Sequence, residues 1–591
     1  MNAERRGIRK TGKFERNNSP ELIGLEKKER YIDALSVFLL LGFGIYHSIL
    51  YWGHQPVPHF DFHCFASLGR EILNFQVPSS FKRVPLVGVL QVLLGKIVGG
   101  TSPDFTGGWL LNALLHPFNG VLIFLIARKF IGKAAFWLAL ICIINSCVLQ
   151  LLTESIVETA LLCGFLVTFY FIFKQSRWCY LFASITTMIR YEAAGLILIA
   201  FLLDMIRAEN NKARVRAFIY SAIASIPLAL WLMGTFLNWE SQGSTYYLKE
   251  LGQQSDGKII FGQYIELLWF VAFDPLFMLE RTSSPEAFMF LAGLSKLLAA
   301  AGFIFGTVYG LCKKNWNILG MVIFLALYLF IHAVHSWYME RFCMPVAWIP
   351  LLICFYGFQS GWGLLNRDNR MPKILVMILQ AAVLIISLCW LAVLVPYLSK
   401  LAPRSTTSVS LPYVAGGLVL VFCIVRSIIT KNLLREVAIA AFVILMIVSN
   451  QFTVARVVAN GERDIEFKYL LDWYLENAQP DEKMAMASPA ILQTMAPKYA
   501  DNFINTGIIE AKNPNEFVSE CFKRNITYVA WDSRMGLTPD SRYYKSWKME
   551  NIAPLIVPQD NGPYKFIAQF RASDRRYINL FRLENPNKKT Q

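Results

Sequence analysis

His59, Asp61 and His63 alternate with aromatic residues in the stretch PVPHFDFHCFASLGREIL, residues 56–73. In an extended segment alternate side chains point to the same side, so the three polar groups would share one face. Imidazole and carboxylate groups suit zinc, which makes a metal site with His59 and His63 as ligands one hypothesis. A single carboxylate in a loop can instead act as a general base, which makes Asp61 a candidate catalytic residue. The third option is an interfacial Asp with two surface His and no chemistry.

The chain around this stretch is strongly apolar. It has 591 residues, of which 55% are hydrophobic, and a mean hydropathy of +0.41, with long uncharged runs that are typical of a polytopic membrane protein. The formal charge is +16, but the basic residues form short clusters between apolar runs, as the positive-inside rule describes. This pattern favours a membrane as partner and argues against nucleic acid. The 11 cysteines include no C-x-x-C pair, so neither a zinc ribbon nor a disulfide framework is indicated.

The distribution of basic residues predicts the sidedness of the apolar runs. Residues 1–31 form a basic tail that we expect in the cytoplasm, and the first apolar run, from about residue 32 to 52, then places Asp61 on the outer side. About thirteen spans are predicted in residues 32–455, with the C-terminus outside. We therefore expect an all-α polytopic membrane domain at 32–455, whose first outer loop, 53–104, contains surface helices.

Residues 456–591 have a different texture, with frequent charges and alternating apolar residues. IEFKYLLDWYLENAQP and NPNEFVSECFKRN have helical spacing, EKMAMAS and ITYVAWD are typical of strands, and YKFIAQFRASDRRYINLFRLE predicts a terminal hairpin. The alternation of helices and strands predicts a soluble α/β domain outside the membrane.

One apolar block, residues 178–206, has basic residues at both ends. If both ends are cytoplasmic, the block must cross outward and return, with its turn at MIRYEAAG, residues 188–195. Arg190 and Glu192 would then lie at the outer side or partway into the membrane, where charges are costly and indicate function. One long helix with a buried ion pair is the alternative.

Several stretches, in the same order along residues 32–455, resemble the GT-C superfamily of integral-membrane glycosyltransferases. An acidic residue in the first outer loop is followed by a helix ending in REIL, by Lys82-Arg83-Val84-Pro85, and by the run LVGVLQVLLGKIVGG. Further similar stretches are LLTESIVETALL (151–162), ASITTMIRYEAAGLILI (183–199) and HSWYMERFCMPVAWIP (335–350). The resemblance is to the branch of protein O-mannosyltransferases and lipid A aminoarabinose transferases. Tyr191 stands where that branch usually has Pro, and one acid stands in the first loop where some members have two.

The resemblance implies an inverting glycosyltransferase that moves a sugar from a polyprenyl-phosphate donor to a lipid, glycan or protein acceptor on the extracytoplasmic face. Such a transfer needs a carboxylate that takes the proton of the acceptor, for which Asp61 is the candidate, and cations that stabilise the leaving phosphate. The candidate substrate-binding residues are Lys82, Arg83, Glu154, Arg190, Glu192, His335 and Arg341. No cofactor is required, and a divalent metal at His59 and His63 stays an open option.

The predicted location is the bacterial inner membrane, with the active site and the C-terminus in the periplasm, or the endoplasmic reticulum if the source is eukaryotic. A secondary transporter or lipid flippase of a polyprenyl or envelope-glycan pathway is the alternative from another class. Transporters often contain repeated halves, and no second copy of either half is visible in the sequence.

Overall fold

The computed structural model describes residues 20–59, 61–144, 146–154, 156–237, 256–273, 286–335, 340–366, 464–533 and 548–584, with a few single positions between 378 and 441 and at 544. This part of the chain is mostly helical and ends in a mixed β-sheet domain. The predicted spans at 374–398, 411–429 and 437–454 lie mostly or wholly outside the described residues, as does the predicted domain boundary at 455. The number of spans therefore stays a prediction.

Among the described residues up to 366, the α-helices are α1 (Pro20–Leu50), α2 (Phe62–Leu73), α3 (Leu86–Val98), α4 (Pro103–Ile131), α5 (Ala135–Ile144), α6 (Ser146–Glu154), α7 (Glu158–Phe173), α8 (Trp178–Thr187), α9 (Ala194–Arg207), α10 (Asn211–Leu237), α11 (Gly257–Phe273), α12 (Glu286–Cys312), α13 (Trp316–Val334), α14 (Glu340–Cys343) and α15 (Trp348–Asn366). Among the described residues, four helical stretches are long and apolar enough to cross a membrane, at Glu29–Leu50, Pro103–Ile144, Asn211–Leu237 and Trp316–Val334. The described residues thus contain multiple apolar helices, consistent with an integral membrane protein. Helix α1 is described from Pro20, before the predicted start of the first span near residue 32.

Residues 53–104, the predicted first outer loop, contain the two helices that their sequence predicts, α2 and α3. They pack backbone to backbone, since a Cβ atom on Gly88 would lie only 1.9 Å from the carbonyl oxygen of Phe65. Glycine is therefore required at this crossing. The Arg70 side chain forms an ion pair with Asp104, which ties α2 to the first turn of α4. These contacts fix α2, and with it Asp61 directly before it, against α3 and α4.

The block 178–206 is divided into two helices, α8 and α9, as one of the two sequence hypotheses predicts. The chain leaves the helical conformation at Arg190, which has φ −153° and ψ 143°, and residues 191–193 form a short 3₁₀ turn. The alternative of one long helix is wrong. The turn offers Arg190 and Glu192 to the bundle interior, where they are 8% and 3% exposed.

The C-terminal domain is a five-stranded sheet with the order β2-β1-β3-β5-β4. Its strands are β1 (Lys483–Met486), β2 (Phe503–Asn505), β3 (Ile526–Asp532), β4 (Tyr564–Ser573) and β5 (Arg576–Leu583), and its helices are α16 (Ile465–Asn477), α17 (Ala490–Met495) and α18 (Pro514–Lys523). Strands β1, β2 and β3 are parallel, whereas β4 and β5 form the predicted antiparallel hairpin. Apolar clusters cover both faces of this sheet.

Candidate active site

Asp61 lies between two arginines that come from distant parts of the chain. Its Oδ1 accepts a hydrogen bond from Arg83 Nη2 at 3.2 Å, and its Oδ2 accepts one from Arg341 Nη2 at 2.9 Å. Asp61 occupies the position before the first residue of α2 but makes no capping hydrogen bond with its side chain. The carboxylate is instead directed to the arginines. His59 Nε2 lies 2.9 Å from Arg341 Nη1, so the same guanidinium contacts both members of the H-x-D pattern.

The arginines keep the Asp61 carboxyl ionised. Burial alone would raise its pKa, but the charges of Arg83, His59 and Arg341 outweigh the burial and lower the pKa to about 2. A carboxylate of this kind is always available to accept a proton or a hydrogen bond. It is a weak base for as long as both guanidinium groups hold it.

Two further acids lie within ion-pair distance of Arg341. Arg341 Nη1 is 3.8 Å from Glu154 Oε2, and Arg341 Nε is 3.8 Å from Glu158 Oε1. Helix α6 ends at Glu154 and α7 begins at Glu158, so the break between the two helices directs both acids to one arginine. Asn112, on α4, donates to two carbonyl groups in the last turn of α6. These two hydrogen bonds satisfy backbone oxygens that a helix end leaves without partners, and they fix the end of α6 against α4.

Arg190 extends the charged network into the bundle. Its Nε and Nη2 donate to both oxygens of Glu192 at 3.2 and 3.0 Å, and its Nη1 lies 3.5 Å from Glu158. His332 Nε2, on α13, lies 3.9 Å from the same Glu192. A continuous series of ionic contacts therefore runs from Asp61 to Glu192, and the His332 imidazole lies next to its inner end. Buried charges of this kind must be paired, because a single one is strongly destabilising.

The Phe342 ring contacts two arginines of the network, Arg190 and Arg341. The Arg190 and Arg341 guanidinium carbons lie 4.5 and 5.0 Å from its ring centre, in cation–π geometry. The Tyr328 hydroxyl, on α13, donates to the Phe342 carbonyl at 2.7 Å. Helix α14 is thereby held where Arg341 reaches Asp61.

Tyr191 positions the loop that carries Arg83. Its hydroxyl donates to the Phe81 carbonyl at 2.7 Å and accepts from Trp231 Nε1 at 3.1 Å. The Leu86 backbone N–H also donates to the carbonyl of Met188, in the same turn. The residue that departs from the superfamily pattern thus links the α8–α9 turn to the basic loop, a contact that Pro cannot make.

The network brings together seven of the ten residues that the sequence singled out: His59, Asp61, Arg83, Glu154, Arg190, Glu192 and Arg341. Lys82 is partly buried next to Arg83 and within electrostatic reach of Cys64, in the first turn of α2. His335 directly follows α13 and is within electrostatic reach of His332.

His59 and His63 contact different partners. His63 Nδ1 lies 3.2 Å from Thr494 Oγ1 in the C-terminal domain, whereas His59 contacts Arg341. Burial, with a smaller effect from Arg70, lowers the pKa of His63 to about 4, so it is neutral near pH 7. No group of three His, Cys, Asp or Glu placed to hold a metal ion occurs in the described part of the chain. The metal hypothesis therefore gains no geometric support and stays a prediction.

Glu158 and His332 were not predicted, although both belong to the network. Glu158 lies in the quoted stretch LLTESIVETALL, and an acid inside an apolar run is a signal for function. His332 precedes His335 by three residues, which is one helical turn. The sequence does not tell which of these groups faces the bundle interior.

Of the comparisons with known proteins, only the one with solved structures found matches. No protein-family model and no curated protein matches the sequence. Among solved structures, ArnT from Cupriavidus metallidurans bound to undecaprenyl phosphate is 12% identical, with a TM-score of 0.51 over 92% of this chain and 97% of that chain. The apo oligosaccharyltransferase of Archaeoglobus fulgidus is 12% identical, with a TM-score of 0.48 over 87% of this chain and 71% of that chain. At such identity a likeness shows the fold alone, and the chain shares the overall fold of this ArnT structure, in agreement with the resemblance stated from its sequence.

Proposed function

We propose that the protein is a membrane glycosyltransferase that moves a sugar from a polyprenyl-phosphate donor to an acceptor hydroxyl or amine on the extracytoplasmic face. The observation that carries the proposal is the contact of Asp61 with Arg83 and Arg341 on a fold shared with ArnT. A carboxylate and two guanidinium groups in one site are the groups that this transfer needs. By the superfamily resemblance, the transfer inverts the anomeric carbon, and the site faces the periplasm of a bacterial inner membrane.

The proposed reaction assigns one role to each group. Asp61 takes the proton of the acceptor while the acceptor oxygen or nitrogen bonds to the anomeric carbon. The bond from that carbon to the phosphate oxygen breaks, and its electron pair leaves with the polyprenyl phosphate. Arg83 and Arg341 stabilise the charge on this leaving group, and arginine suits the role because its planar guanidinium can bind two phosphate oxygens.

Spare hydrogen-bond donors support the phosphate-binding role. The Nε atoms of Arg83 and Arg341 are buried and have no hydrogen-bond partner among the described residues. Buried donors in proteins are nearly always satisfied, so an anionic ligand that supplies acceptors is a good explanation. When the phosphate takes a share of both guanidinium groups, their hold on Asp61 weakens and its pKa rises. Donor binding thereby turns a weak base into an effective one.

The charges favour coupling between donor binding and proton uptake. The network contains the four carboxyl groups of Asp61, Glu154, Glu158 and Glu192 and the guanidinium groups of Arg83, Arg190 and Arg341. A bound phosphate adds negative charge, which transfer of the acceptor proton to Asp61 offsets. We therefore expect binding of the donor to favour transfer of the acceptor proton to Asp61.

The test is product formation by the purified protein in detergent. Polyprenyl phosphates that carry different radiolabelled sugars are supplied with lipid, glycan and peptide acceptors, and the label is followed into product along with release of polyprenyl phosphate. The proposal predicts a covalent product from at least one donor. A transporter or flippase forms no such product, so a donor that binds and crosses a vesicle membrane without transfer would overturn the proposal.

A further inference from the structure

Val57, in the first outer loop, belongs to the hydrophobic core of the C-terminal domain. It is fully buried, and all the other residues of its apolar cluster come from the region 467–580. The cluster includes Phe467, Leu470, Tyr474, Ile491, Phe503 and Leu580. A side chain that lies only four residues before Asp61 is thus inserted into a domain that begins about four hundred residues later.

The chain between Val57 and Asp61 is stiff at its start. Pro56 and Pro58 flank Val57, and each proline ring fixes its own backbone φ angle near −65°. Pro58 is itself buried. The position of Val57 in the domain core is therefore transmitted to His59 and Asp61.

The C-terminal domain also holds the chain on the other side of Asp61. His63 Nδ1 lies 3.2 Å from Thr494 Oγ1, at the end of α17. The Ser102 hydroxyl, just before α4, donates to the carbonyl of Met495 in the same helix. Helix α17 therefore lies against the loop that contains Asp61 and against the helix that follows this loop.

We propose that the C-terminal domain is the positioning element for Asp61, with Val57 as the residue through which it acts. The inference rests on the proposed function, because Asp61 must keep its contacts with Arg83 and Arg341 to serve as the base. A misplacement of a reacting group by about 1 Å can cost roughly 100-fold in rate. The domain is thus part of the active-site scaffold and not an independent appendage.

The test compares two equal truncations in the same domain. Val57→Ala removes the insertion, and Val529→Ala removes the same two methyl groups from strand β3, which is also fully buried but far along the chain from the loop. Full-length proteins are purified, and amide hydrogen exchange is measured in the peptide that spans residues 57–63. The turnover number, the KM for the donor and the pH profile are measured alongside.

The inference predicts faster exchange in this peptide for Val57→Ala alone. It further predicts a kcat lower by about 10-fold to 100-fold and an acidic limb of the pH profile at higher pH, because Asp61 moves away from its arginines. Val57→Ile, which keeps an apolar side chain in the domain core, should retain the exchange rate, the kcat and the acidic limb of the wild type. Unchanged exchange in Val57→Ala, or equal changes in Val529→Ala, would overturn the inference. If the wild type transfers no sugar, the proposed function fails, and the exchange data still decide whether the domain holds the loop.

Discussion

Replacement of Arg341 by Gln is the perturbation with the broadest expected effect. The Arg341 guanidinium lies 2.9 Å from Asp61, 2.9 Å from His59, and 3.8 Å from both Glu154 and Glu158. The Arg341 side chain is only 12% exposed, so little water is available to solvate its partners once the guanidinium is removed. Without this guanidinium, the carboxylates of Asp61, Glu154 and Glu158 lose one cation that they have in common.

The magnitudes follow from these contacts. Loss of one nearby cation raises the pKa of a carboxyl by about 1 to 3 units, so the Asp61 pKa should rise from its value of about 2. Since activity is lost as pH falls through the pKa of the base, the acidic limb of kcat moves to higher pH. One charged hydrogen bond to the leaving phosphate is worth about 1.5 to 3 kcal/mol, or roughly 10-fold to 150-fold in rate. Removal of one member of a buried ion pair also costs about 3 to 5 kcal/mol of stability.

The assay is sugar transfer measured from pH 4 to 9 with the wild type, Arg341→Gln and Arg341→Lys. Lysine keeps the charge but presents no planar fork, so Arg341→Lys should recover stability better than rate. The matched control is Arg571→Gln, since Arg571 pairs with Asp574 at 3.2 Å on the hairpin and its side chain is 52% exposed. Such surface pairs contribute little, and this variant should behave as the wild type. A folded Arg341→Gln protein with unchanged kcat, donor KM and acidic limb would refute the reasoning.

The remaining predictions concern the ion pair of Arg190 and Glu192, the metal hypothesis and the membrane topology. Arg190→Ala should lower the unfolding free energy by about 3 to 5 kcal/mol as well as the activity, because it leaves buried acids without their cation; full activity with an unchanged thermal midpoint would contradict this. A chelator should leave transfer intact if the arginines neutralise the phosphate, whereas loss of activity that zinc alone restores would favour the metal hypothesis. In a variant whose exposed Cys64 and Cys312 are replaced by Ser, a cysteine at Phe75, which is 98% exposed, should react with an impermeant thiol reagent from outside. A cysteine at Asn210, between α9 and α10, should react only after lysis, and the reverse labelling would overturn the predicted sidedness.

Much of the fold was predictable because it follows from patterns along the chain. Apolar runs and basic flanks predict the membrane helices, and the two flanks of residues 178–206 predict the turn at Arg190. The predicted hairpin at 564–584 and the strand ITYVAWD are present as β4, β5 and β3. Strand β2 was not predicted, because its three residues, Phe503–Asn505, are too few to show a period. Within the predicted span 134–152, residues 135–144 and 146–152 are helical, in α5 and α6, and residue 145 lies outside the described residues.

The site was predictable where a charge is unusual for its surroundings. Asp61, Arg190 and Arg341 stand in or beside apolar runs, and the structure brings them into one network. Contacts between distant segments were beyond the sequence. The partner of His63 is Thr494, 431 positions later. The burial of Val57 depends on contacts with the C-terminal domain, which no local sequence pattern predicts.

The most direct test of the account is single-turnover sugar transfer by Asp61→Asn compared with the wild type, with donor binding measured in parallel. Asn keeps the shape of the side chain but cannot take a proton, so the chemical step should slow by at least about 100-fold, as expected for loss of a general base. Donor binding should persist, since Arg83 and Arg341 remain. Asp574→Asn, a change at a side chain that is 97% exposed, is the control and should leave both quantities unchanged. Near-normal transfer by Asp61→Asn would contradict the account.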